Sequence, residues 1–318
     1  MPKTYKIHML LETLSPLTHM MGTNGNEALI NREAVIYKDE IRHLPVISGN
    51  AIRHKLVREP GAMFLVGACN LAGKMNIDQL NYLFNGGSLV ESSVSCNIRK
   101  IADTQSILPL YRLLGGCLKN QVVSGSLNVH RGMLICRENA ERISSILPND
   151  CSINAEIFPA EHFIDQYQYT RGDANRMKDI DFFAAIDELN TGEEKEKSHL
   201  MIFNGQTIVA GTMFYLGFVL NNVSDLELGA LFHSLARWNG FIGGQGSRGH
   251  GRCKISLIKS DDLDVSGLID AYKAHVENKK DEIKAWLTEA FPTGREEKIA
   301  RKAKAQEAAN AEKLALDD

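Results

Sequence analysis

The sequence predicts an α+β protein that forms one elaborated domain. Strand-like apolar runs alternate with segments of helical spacing, from a first strand at 5–14 to a last strand at 253–258. With 318 residues the chain can bury a sizeable core, and its 44% hydrophobic and 24% charged residues are ordinary for a globular protein. The third observation is a dense glycine loop immediately before the last strand. Such loops are typical of tight connections between secondary-structure elements.

Charge and cysteine usage narrow the function classes. A net charge of −3 argues against a general polyanion binder, so any nucleic-acid site must concentrate positive charge locally. The six cysteines are scattered without a Cys-x-x-Cys pair, which disfavours a zinc site or a disulfide framework and suits the reducing cytoplasm. No long apolar run marks a signal peptide or a membrane span. We expect a cytoplasmic protein without cofactor, metal or membrane partner.

The first half of the chain shows clear boundaries. Ser15-Pro16-Leu17 ends the strand at 5–14, and residues 29–42 are typical of a hairpin that turns at Lys38-Asp39-Glu40. Ser48 suits the N-cap of a basic helix, which Pro60-Gly61 is expected to stop or kink.

The second half continues the alternation. Residues 77–84 and 107–114 have helical spacing, and residues 122–136 alternate as a strand pair with a bend at Arg131-Gly132. The run 200–220 returns to strand character, with Asn204-Gly205 as a hairpin turn signal. Two further helical segments are predicted at 226–238 and 264–291.

The element order predicts the core. Strand, helix, strand, strand, helix, strand fits an RRM-like (ferredoxin-like) α+β core with large insertions. We assign residues 1–292 to this domain, with insertions at about 19–45 and 137–198, the latter carrying an extended hairpin. Residues 293–318 form a tail of balanced charge, expected to be helical or disordered.

The segment Gly243–Cys253 is the most informative motif. Its five glycines allow close approach of a ligand to the backbone, and cationic residues lie between them. This pattern favours a cradle for nucleic-acid phosphate, whereas the alternative is a tight turn between helix and strand. No Gly-Lys-Ser/Thr ending follows, so the segment is not a Walker A loop. It also does not open a helix after a strand, as a dinucleotide-binding Gly-x-Gly-x-x-Gly motif does. The candidate ligands are Gly244, Gln245, Gly246, Ser247, Arg248, His250 and Arg252.

A second candidate phosphate site lies at the helix that Ser48 caps. Ser48, Gly49 and Asn50 stand at its N-terminus, where free N–H groups and the helix dipole attract anions. Arg53 and His54 follow in the next turn and can face the same groove. The alternative for the basic residues is an ordinary solvated helix face.

The central insertion supplies a third group. Its segment 166–178 mixes tyrosines with arginines, and aromatic rings stack on bases while arginines hold phosphates. We take Tyr169, Arg171 and Arg176 as candidate RNA ligands. The alternative is a mobile loop with surface tyrosines.

Four landmarks in order resemble a known family. They are Leu14-Ser15-Pro16-Leu17 after the first strand, the segment 44–53, Leu113-Leu114-Gly115-Gly116 followed by 124–129, and the glycine loop. In these features the chain is similar to RAMP-superfamily proteins, specifically the backbone subunit (the seventh Cas family) of multi-subunit CRISPR effector complexes. Its size and the segment 169–171 are most similar to type IV systems.

The resemblance implies a guide-RNA-binding function. Members of this family have a palm, a finger and a thumb-like hairpin, and they assemble head to tail along the crRNA. The expected partners are therefore crRNA, copies of this chain, other effector subunits and a target nucleic acid, more often DNA in type IV systems. The thumb, which displaces a nucleotide at intervals, corresponds to the segment around 23–42 or the segment around Tyr169.

The resemblance also raises two catalytic alternatives. Related type III subunits cleave target RNA with an acidic loop residue, and the corresponding position here is close to Glu27. Other RAMP proteins process the guide with a general-base histidine, for which His19, His43 and His54 are available. Because a lone carboxylate or histidine is more often an ordinary surface group, we expect a structural subunit that does not catalyse.

Overall fold

The protein is built around antiparallel β-sheets. A computed structural model describes residues 3–24, 27–88, 98–118, 121–153, 158–171, 201–259 and 263–292. The strands are β1 (Thr4–Thr13), β2 (Met20–Asn24), β3 (Glu27–Ile30), β4 (Arg32–Tyr37), β5 (Glu40–Ile47), β6 (Gly115–Leu118), β7 (Gln121–Ser124), β8 (Leu127–Val129), β9 (Gly132–Leu134), β10 (Ile164–Arg171), β11 (Met201–Ile208), β12 (Met213–Asn221) and β13 (Cys253–Lys259).

The helices cover the central sheet. In the first of them, α1, the segments Gly49–Ile52, Arg53–Arg58 and Glu59–Ala68 follow each other without a break, and the middle segment is π-helical. In α2 the turn Ile77–Leu80 continues into the π-helical Asn81–Asn85. The remaining helices are α3 (Ile98–Ile107), α4 (Pro109–Leu114), α5 (Ala140–Ile146), α6 (Asp225–Arg237), α7 (Val265–Asn278) and α8 (Lys280–Ala290).

The largest sheet has seven strands. Its order is β13-β1-β12-β9-β5-β4, and β8 also pairs with β12. Strand β1 lies between β12 and β13, antiparallel to both, and its side chains Ile7, Met9 and Leu11 are buried. The predicted first strand, the hairpin that turns at Lys38-Asp39 and the last strand are confirmed.

A second sheet has four strands. Its order is β10-β11-β3-β2, in which β11 and β3 run parallel and the other pairs are antiparallel. Of the extended hairpin expected within 137–198, strand β10 lies inside these bounds, whereas its partner β11 begins beyond them. The residues that connect these strands, and the tail at 293–318, lie outside the described residues. Strands β6 and β7 form a separate two-stranded hairpin.

The mixture of helices and antiparallel sheets confirms the α+β class. Helix α6 is capped by Ser224, whose Oγ accepts a hydrogen bond from the Glu227 N–H, and it packs against α1 and α7. The predicted helices at 226–238 and within 77–84 and 107–114 are confirmed. In the described ranges, no helix is both long enough and apolar enough to cross a membrane.

Pro60-Gly61 does not stop the first helix, which was one of the two expected effects. Helix α1 continues to Ala68 because the π-helical turn before Pro60 changes the hydrogen-bond pattern, with the Glu59 N–H bonded to the His54 carbonyl. Gly61 is required for packing instead. A Cβ atom there would lie 2.4 Å from Leu110 Cδ2.

The expectation of a turn at Asn204-Gly205 is also wrong. Both residues lie in the middle of β11, where Gly205 pairs with Tyr167 of β10. A Cβ atom on Gly205 would lie 2.5 Å from the Tyr167 ring, so the glycine leaves room for that ring across the sheet. The local dipeptide signal was outweighed by this cross-strand contact.

Residues 122–136 do not form a strand pair with each other. Strand β7 pairs with β6, whereas β8 and β9 both pair with β12, in the same direction and on either side of the bend at Arg131. The alternating pattern correctly indicated strands, but it contained no information about which strand each one joins.

Two glycines in helices provide a matched test of the packing. A Cβ atom on Gly229 of α6 would lie 2.1 Å from the Leu268 carbonyl oxygen of α7, whereas one on Gly67 of α1 would meet nothing within 4 Å. We predict that Gly229→Ala lowers the free energy of unfolding by about 2 kcal/mol or more, because the two helices must separate. Gly67→Ala should raise it by roughly 0.5–1 kcal/mol through helix propensity. Urea unfolding measures both, and equal effects would contradict the packing.

His233 makes stability depend on pH. It is buried between the Phe64 and Tyr272 rings, with ring centroids 4.1 and 5.6 Å away, and its Nδ1 has no hydrogen-bond partner in the described ranges. Burial, reinforced by Arg237 and Lys273, lowers its pKa from 6.5 to about 4.

We therefore predict an acid-dependent loss of stability that His233 causes. A depressed pKa means that the unfolded chain takes up this proton first, so stability that is present above pH 6.5 is lost as the pH falls towards 4. The loss attributable to His233 should be about 2–3 kcal/mol at pH 4. Urea unfolding of wild type and of His233→Phe, each measured above pH 6.5 and at pH 4, isolates the contribution of His233. All other groups titrate in both proteins and therefore cancel in the comparison. An unchanged pH dependence in the variant would refute the assignment.

Candidate functional site

Two side-chain hydrogen bonds fix the backbone at the N-terminus of α1. The Ser48 Oγ accepts a hydrogen bond from the Ala51 N–H at 3.2 Å, which confirms the predicted N-cap. The His19 Nε2 accepts a hydrogen bond from the Ser48 N–H at 3.0 Å. Burial lowers the pKa of His19, which agrees with a neutral ring whose Nε2 acts as an acceptor. The first-turn N–H groups of Gly49 and Asn50 have no acceptor within the helix, as in any α-helix.

A cleft lies directly in front of this N-terminus. It has a volume of about 410 Å³ and lies between the start of α1 and the segment of β8. Its lining includes two arginines and no carboxylate: Ser48, Gly49, Asn50, Arg53, Leu127, Asn128, Val129 and Arg131. The Arg131 side chain is 61% exposed, and its Nη1 lies 3.6 Å from Glu33 Oε2. The arrangement suits an anion, because the helix N-terminus and the arginines attract the same charge.

Arg53 has a structural contact as well as a place in the cleft. Its Nη2 donates to the Leu114 carbonyl, while its Nε is buried without a hydrogen-bond partner in the part of the chain that the structure describes. The pKa of Arg53 is lowered by burial. His54 is placed differently: it does not line the cleft, and its Nε2 lies 3.9 Å from Glu59 Oε2 on the same helix.

Arg58, which the sequence did not single out, is buried one turn further on. Its guanidinium donates to the Gly115 carbonyl at 3.0 Å and to the Tyr82 carbonyl at 3.4 Å. Arg53 and Arg58 therefore bind consecutive carbonyls of the Leu114-Gly115 segment. Gly115 has φ +66°, and a Cβ atom there would lie 2.4 Å from the Gly125 nitrogen, so the segment requires glycine. In the sequence, Arg53 and Arg58 are marked as a pair by nothing more than their spacing of five residues in one basic helix.

The glycine loop is folded tightly against the segment after β1. The Gly244 N–H donates to the Thr18 carbonyl at 2.7 Å, and Thr18 Oγ1 lies 2.7 Å from His250 Nδ1. Gly243 and Gly251 have φ +85°, and a Cβ atom on Gly251 would lie 2.4 Å from the Ile242 carbonyl oxygen. These glycines serve the turn itself, which was the structural alternative.

Other residues of the loop remain available to a ligand. Gly246, Ser247 and Arg248 form an exposed 3-10 turn, and a Cβ atom on Gly246 would meet nothing within 4 Å. Gln245 has φ 61°, and its side-chain oxygen accepts a hydrogen bond from Arg248. The Arg252 side chain is exposed, while its backbone N–H donates to Ser15 Oγ.

Consecutive residues join the two predicted sites. Thr18 contacts the glycine loop through Gly244 and His250, and His19 accepts the hydrogen bond from Ser48 at the helix N-terminus. Sites that are about 200 residues apart in sequence are therefore anchored to one dipeptide. Burial, and then the charge of Arg248, lowers the pKa of His250.

Aromatic side chains of the second sheet flank the glycine loop. The Arg248 guanidinium lies 3.9 Å from the centroid of the Tyr169 ring, and the Tyr167 ring makes an edge contact with His250 at 5.2 Å. Arg171 ends β10 and is exposed, whereas Arg176 lies outside the described residues. We call the cleft, the glycine loop and these aromatic rings together the candidate surface.

Glu27 does not belong to the candidate surface, which consists of the cleft, the glycine loop and the aromatic rings. It is an exposed residue at the start of β3, whose backbone pairs with Asn24 and Asn204. In the ranges that the structure covers, no cluster of three or more His, Cys, Asp or Glu side chains could hold a metal ion.

Comparisons with known proteins show likeness at the level of the fold. No protein-family model matches the sequence, and no curated protein sequence is detectably similar to it. The fold is similar to that of a chain in the solved structure of a type IV-B CRISPR complex, with 16% identity, a TM-score of 0.53, and coverage of 81% of this chain and 92% of that chain. The crystal structure of Thermofilum pendens Csc2 matches at 12% identity and a TM-score of 0.39, covering 91% of this chain and 82% of that chain.

A pair of identical substitutions separates structural from exposed arginines. We predict that Arg58→Met lowers the free energy of unfolding by roughly 2–4 kcal/mol, because the Gly115 and Tyr82 carbonyls each lose one hydrogen bond in a buried position. Arg131→Met should change it by less than about 0.5 kcal/mol, since this side chain is exposed and its ion pair is weak. Chemical denaturation at neutral pH measures both, and a comparable loss in the two variants would contradict the structural role of Arg58.

Proposed function

We propose that this protein is a crRNA-binding backbone subunit of a CRISPR ribonucleoprotein complex. The single observation that carries the proposal is the convergence of the helix N-terminus and the glycine loop on Thr18-His19. Both elements carry arginines, and the helix N-terminus adds first-turn N–H groups, so two anion-attracting groups are joined through one dipeptide. Two such groups suit a chain of phosphates better than one isolated anion. The likeness to a chain of a type IV-B CRISPR complex supports the same assignment through the fold.

The strand order supports an RRM-like RAMP core within this fold. The elements β1, α1, β9, β12, α6 and β13 follow the order strand, helix, strand, strand, helix, strand. In space the four strands lie as β13-β1-β12-β9, so the first and the third strand are neighbours at the centre. The candidate surface is formed after the end of β1, before the start of β13 and at the start of α1.

Each part of the surface has a separate task in the proposed complex. The N–H groups of Gly49 and Asn50, together with Arg131, would hold one phosphate in the cleft, while Arg248 would hold another from the glycine loop. The local concentration of these groups reconciles RNA binding with a net charge of −3. Arg53 contributes its cationic charge to the cleft while it remains bonded to Leu114.

The second sheet combines strands from both segments that were alternatives for the thumb. Strands β2 and β3 come from the beginning of the early segment, whose remaining part forms β4 and β5 of the largest sheet. Strand β10 comes from the central insertion, and β11 directly follows that insertion. We propose that this sheet as a whole forms the thumb-like projection. Its position beside the glycine loop supports a role in separating neighbouring nucleotides.

The proposed partners are crRNA, further copies of the chain, other effector subunits and a target nucleic acid, preferentially DNA. A heterologous contact that repeats along the RNA would give an open, head-to-tail row of subunits. In this arrangement the protein binds and orients the guide without cleaving it. Glu27, with its position on β3, is proposed to have no part in strand cleavage.

Removal of exposed arginines tests the phosphate contacts. We predict that Arg131→Met and Arg248→Met each weaken binding of single-stranded RNA uniformly across sequences. Each should also reduce the slope of log K against log salt by about 0.7, the value for one lost phosphate contact. Lys273→Met, at an exposed lysine on α7, is the matched control and should leave the slope unchanged. An unchanged slope in both arginine variants would remove these residues from the RNA path.

Purification with its own RNA tests the subunit role. We predict that the protein, expressed with a CRISPR array and its neighbouring genes, co-purifies in several copies with a guide RNA. That RNA and a complementary target RNA should remain intact in Mg²⁺, and Glu27→Gln should behave like wild type. A single-copy complex, or cleavage that Glu27→Gln abolishes, would replace the structural function by the nuclease alternative.

A further inference from the structure

The second sheet carries a row of parallel aromatic rings. Tyr167 and Tyr169 stand on the same face of β10, with ring centroids 6.2 Å apart and ring planes within 5° of each other. Phe203 of β11 continues the row, with its centroid 5.0 Å from that of Tyr169 and an angle of 11° between the planes. All three rings are half-buried, so their outer parts are open to solvent.

Residues of β11 and of the glycine loop pack against the Tyr167 ring of this row. Gly205 lies opposite Tyr167 and leaves space that the ring of this tyrosine occupies. His250 of the glycine loop packs edge-on against the same ring. The aromatic row and the glycine loop are therefore one connected structure. A fixed row of rings is preorganised for stacking, since little side-chain freedom is lost on binding.

A cation covers the row in the free protein. The Arg248 guanidinium lies over Tyr169, with its central carbon 3.9 Å from the ring centroid. A planar delocalised cation over a ring occupies the position that a stacked nucleobase would take. The link between Arg248 and Gln245 belongs to an exposed turn, so the guanidinium can leave the ring by side-chain rotation.

We propose that Tyr167, Tyr169 and Phe203 form a stacking subsite for one unpaired nucleobase, and that Arg248 is its displaceable cover. This proposal rests on the proposed RNA-binding function and adds the ligand class of one subsite. When the base stacks on Tyr169, the Arg248 guanidinium moves from the ring to the adjoining phosphate. Because every base has a π-face, the subsite accepts bases without sequence preference.

The test compares RNA with and without bases. Wild type and variants are titrated with a short oligouridine and with an abasic ribose-phosphate oligomer of the same length. Tyr169→Leu should weaken oligouridine binding about tenfold, a loss within the range measured for one base-aromatic stack, while binding of the abasic oligomer should not change. Tyr169→Phe keeps the ring and should bind both oligomers like wild type.

Matched and independent measurements keep the result interpretable. Tyr37 is a half-buried tyrosine of β4 with the Lys38 ammonium 5.4 Å from its ring centroid, so Tyr37→Leu removes a similar ring outside the row. It should leave the affinity for both oligomers unchanged. Oligouridine that carries 5-iodouridine should photo-crosslink in wild type to Tyr167, Tyr169 or Phe203, as mapped by mass spectrometry. This measurement needs no folded variant.

The outcomes distinguish failure of the subsite from failure of the function. If wild type binds both oligomers equally well, or if Tyr169→Leu weakens both to the same extent, the stacking subsite is wrong and the phosphate surface stands. Crosslinks confined to other peptides would also refute it. If wild type binds neither oligomer, the proposed RNA-binding function fails, and the subsite fails with it.

Discussion

The hydrogen bonds of Leu17, Thr18 and His19 organise the whole molecule. Leu17 exchanges both backbone hydrogen bonds with Ile208, which ties the end of β1 to the second sheet. Thr18 holds the glycine loop, and His19 holds the first residue before α1. Three neighbouring residues therefore join both sheets, the last loop and the first helix. A change in their backbone would displace every part of the candidate surface together.

A neutral His19 ring is a condition of this arrangement. His19 acts as an acceptor towards the Ser48 N–H, which requires an unprotonated Nε2. Burial favours the neutral form, because a charged ring would lose its hydration there. Burial also lowers the pKa of His250 beside Thr18, and the charge of Arg248 acts in the same direction. Through these hydrogen bonds the two histidines link Ser48 and the glycine loop to the segment after β1.

Buried arginines provide the second constraint. Arg53 and Arg58 bind the carbonyls of Leu114 and Gly115 from one helix, without a carboxylate partner in the described ion pairs. Hydrogen bonds to several carbonyls offset part of the cost of burying a guanidinium. The Leu113–Gly116 motif is conformationally special because Gly115 must adopt φ +66°. A motif that resembled a family landmark thus has a local physical reason, which is close packing under two arginines.

Local patterns in the sequence determined the strands of the central sheet, the Ser48 cap, the hairpin at Lys38-Asp39, helix α6 and the glycine loop, because periodicity and caps act over a few residues. The tertiary structure alone decided that β8 and β9 both join β12, that Gly205 supports Tyr167 rather than forming a turn, and that α1 passes through Pro60. It also decided that Thr18-His19 brings residues near 48 and 250 together. In the same way, only the tertiary structure shows that Arg131 is exposed beside the cleft while Arg58 is buried against the Gly115 carbonyl. Strand pairing and long-range contacts depend on which apolar faces meet in space, and the spacing of residues along the chain does not contain that information.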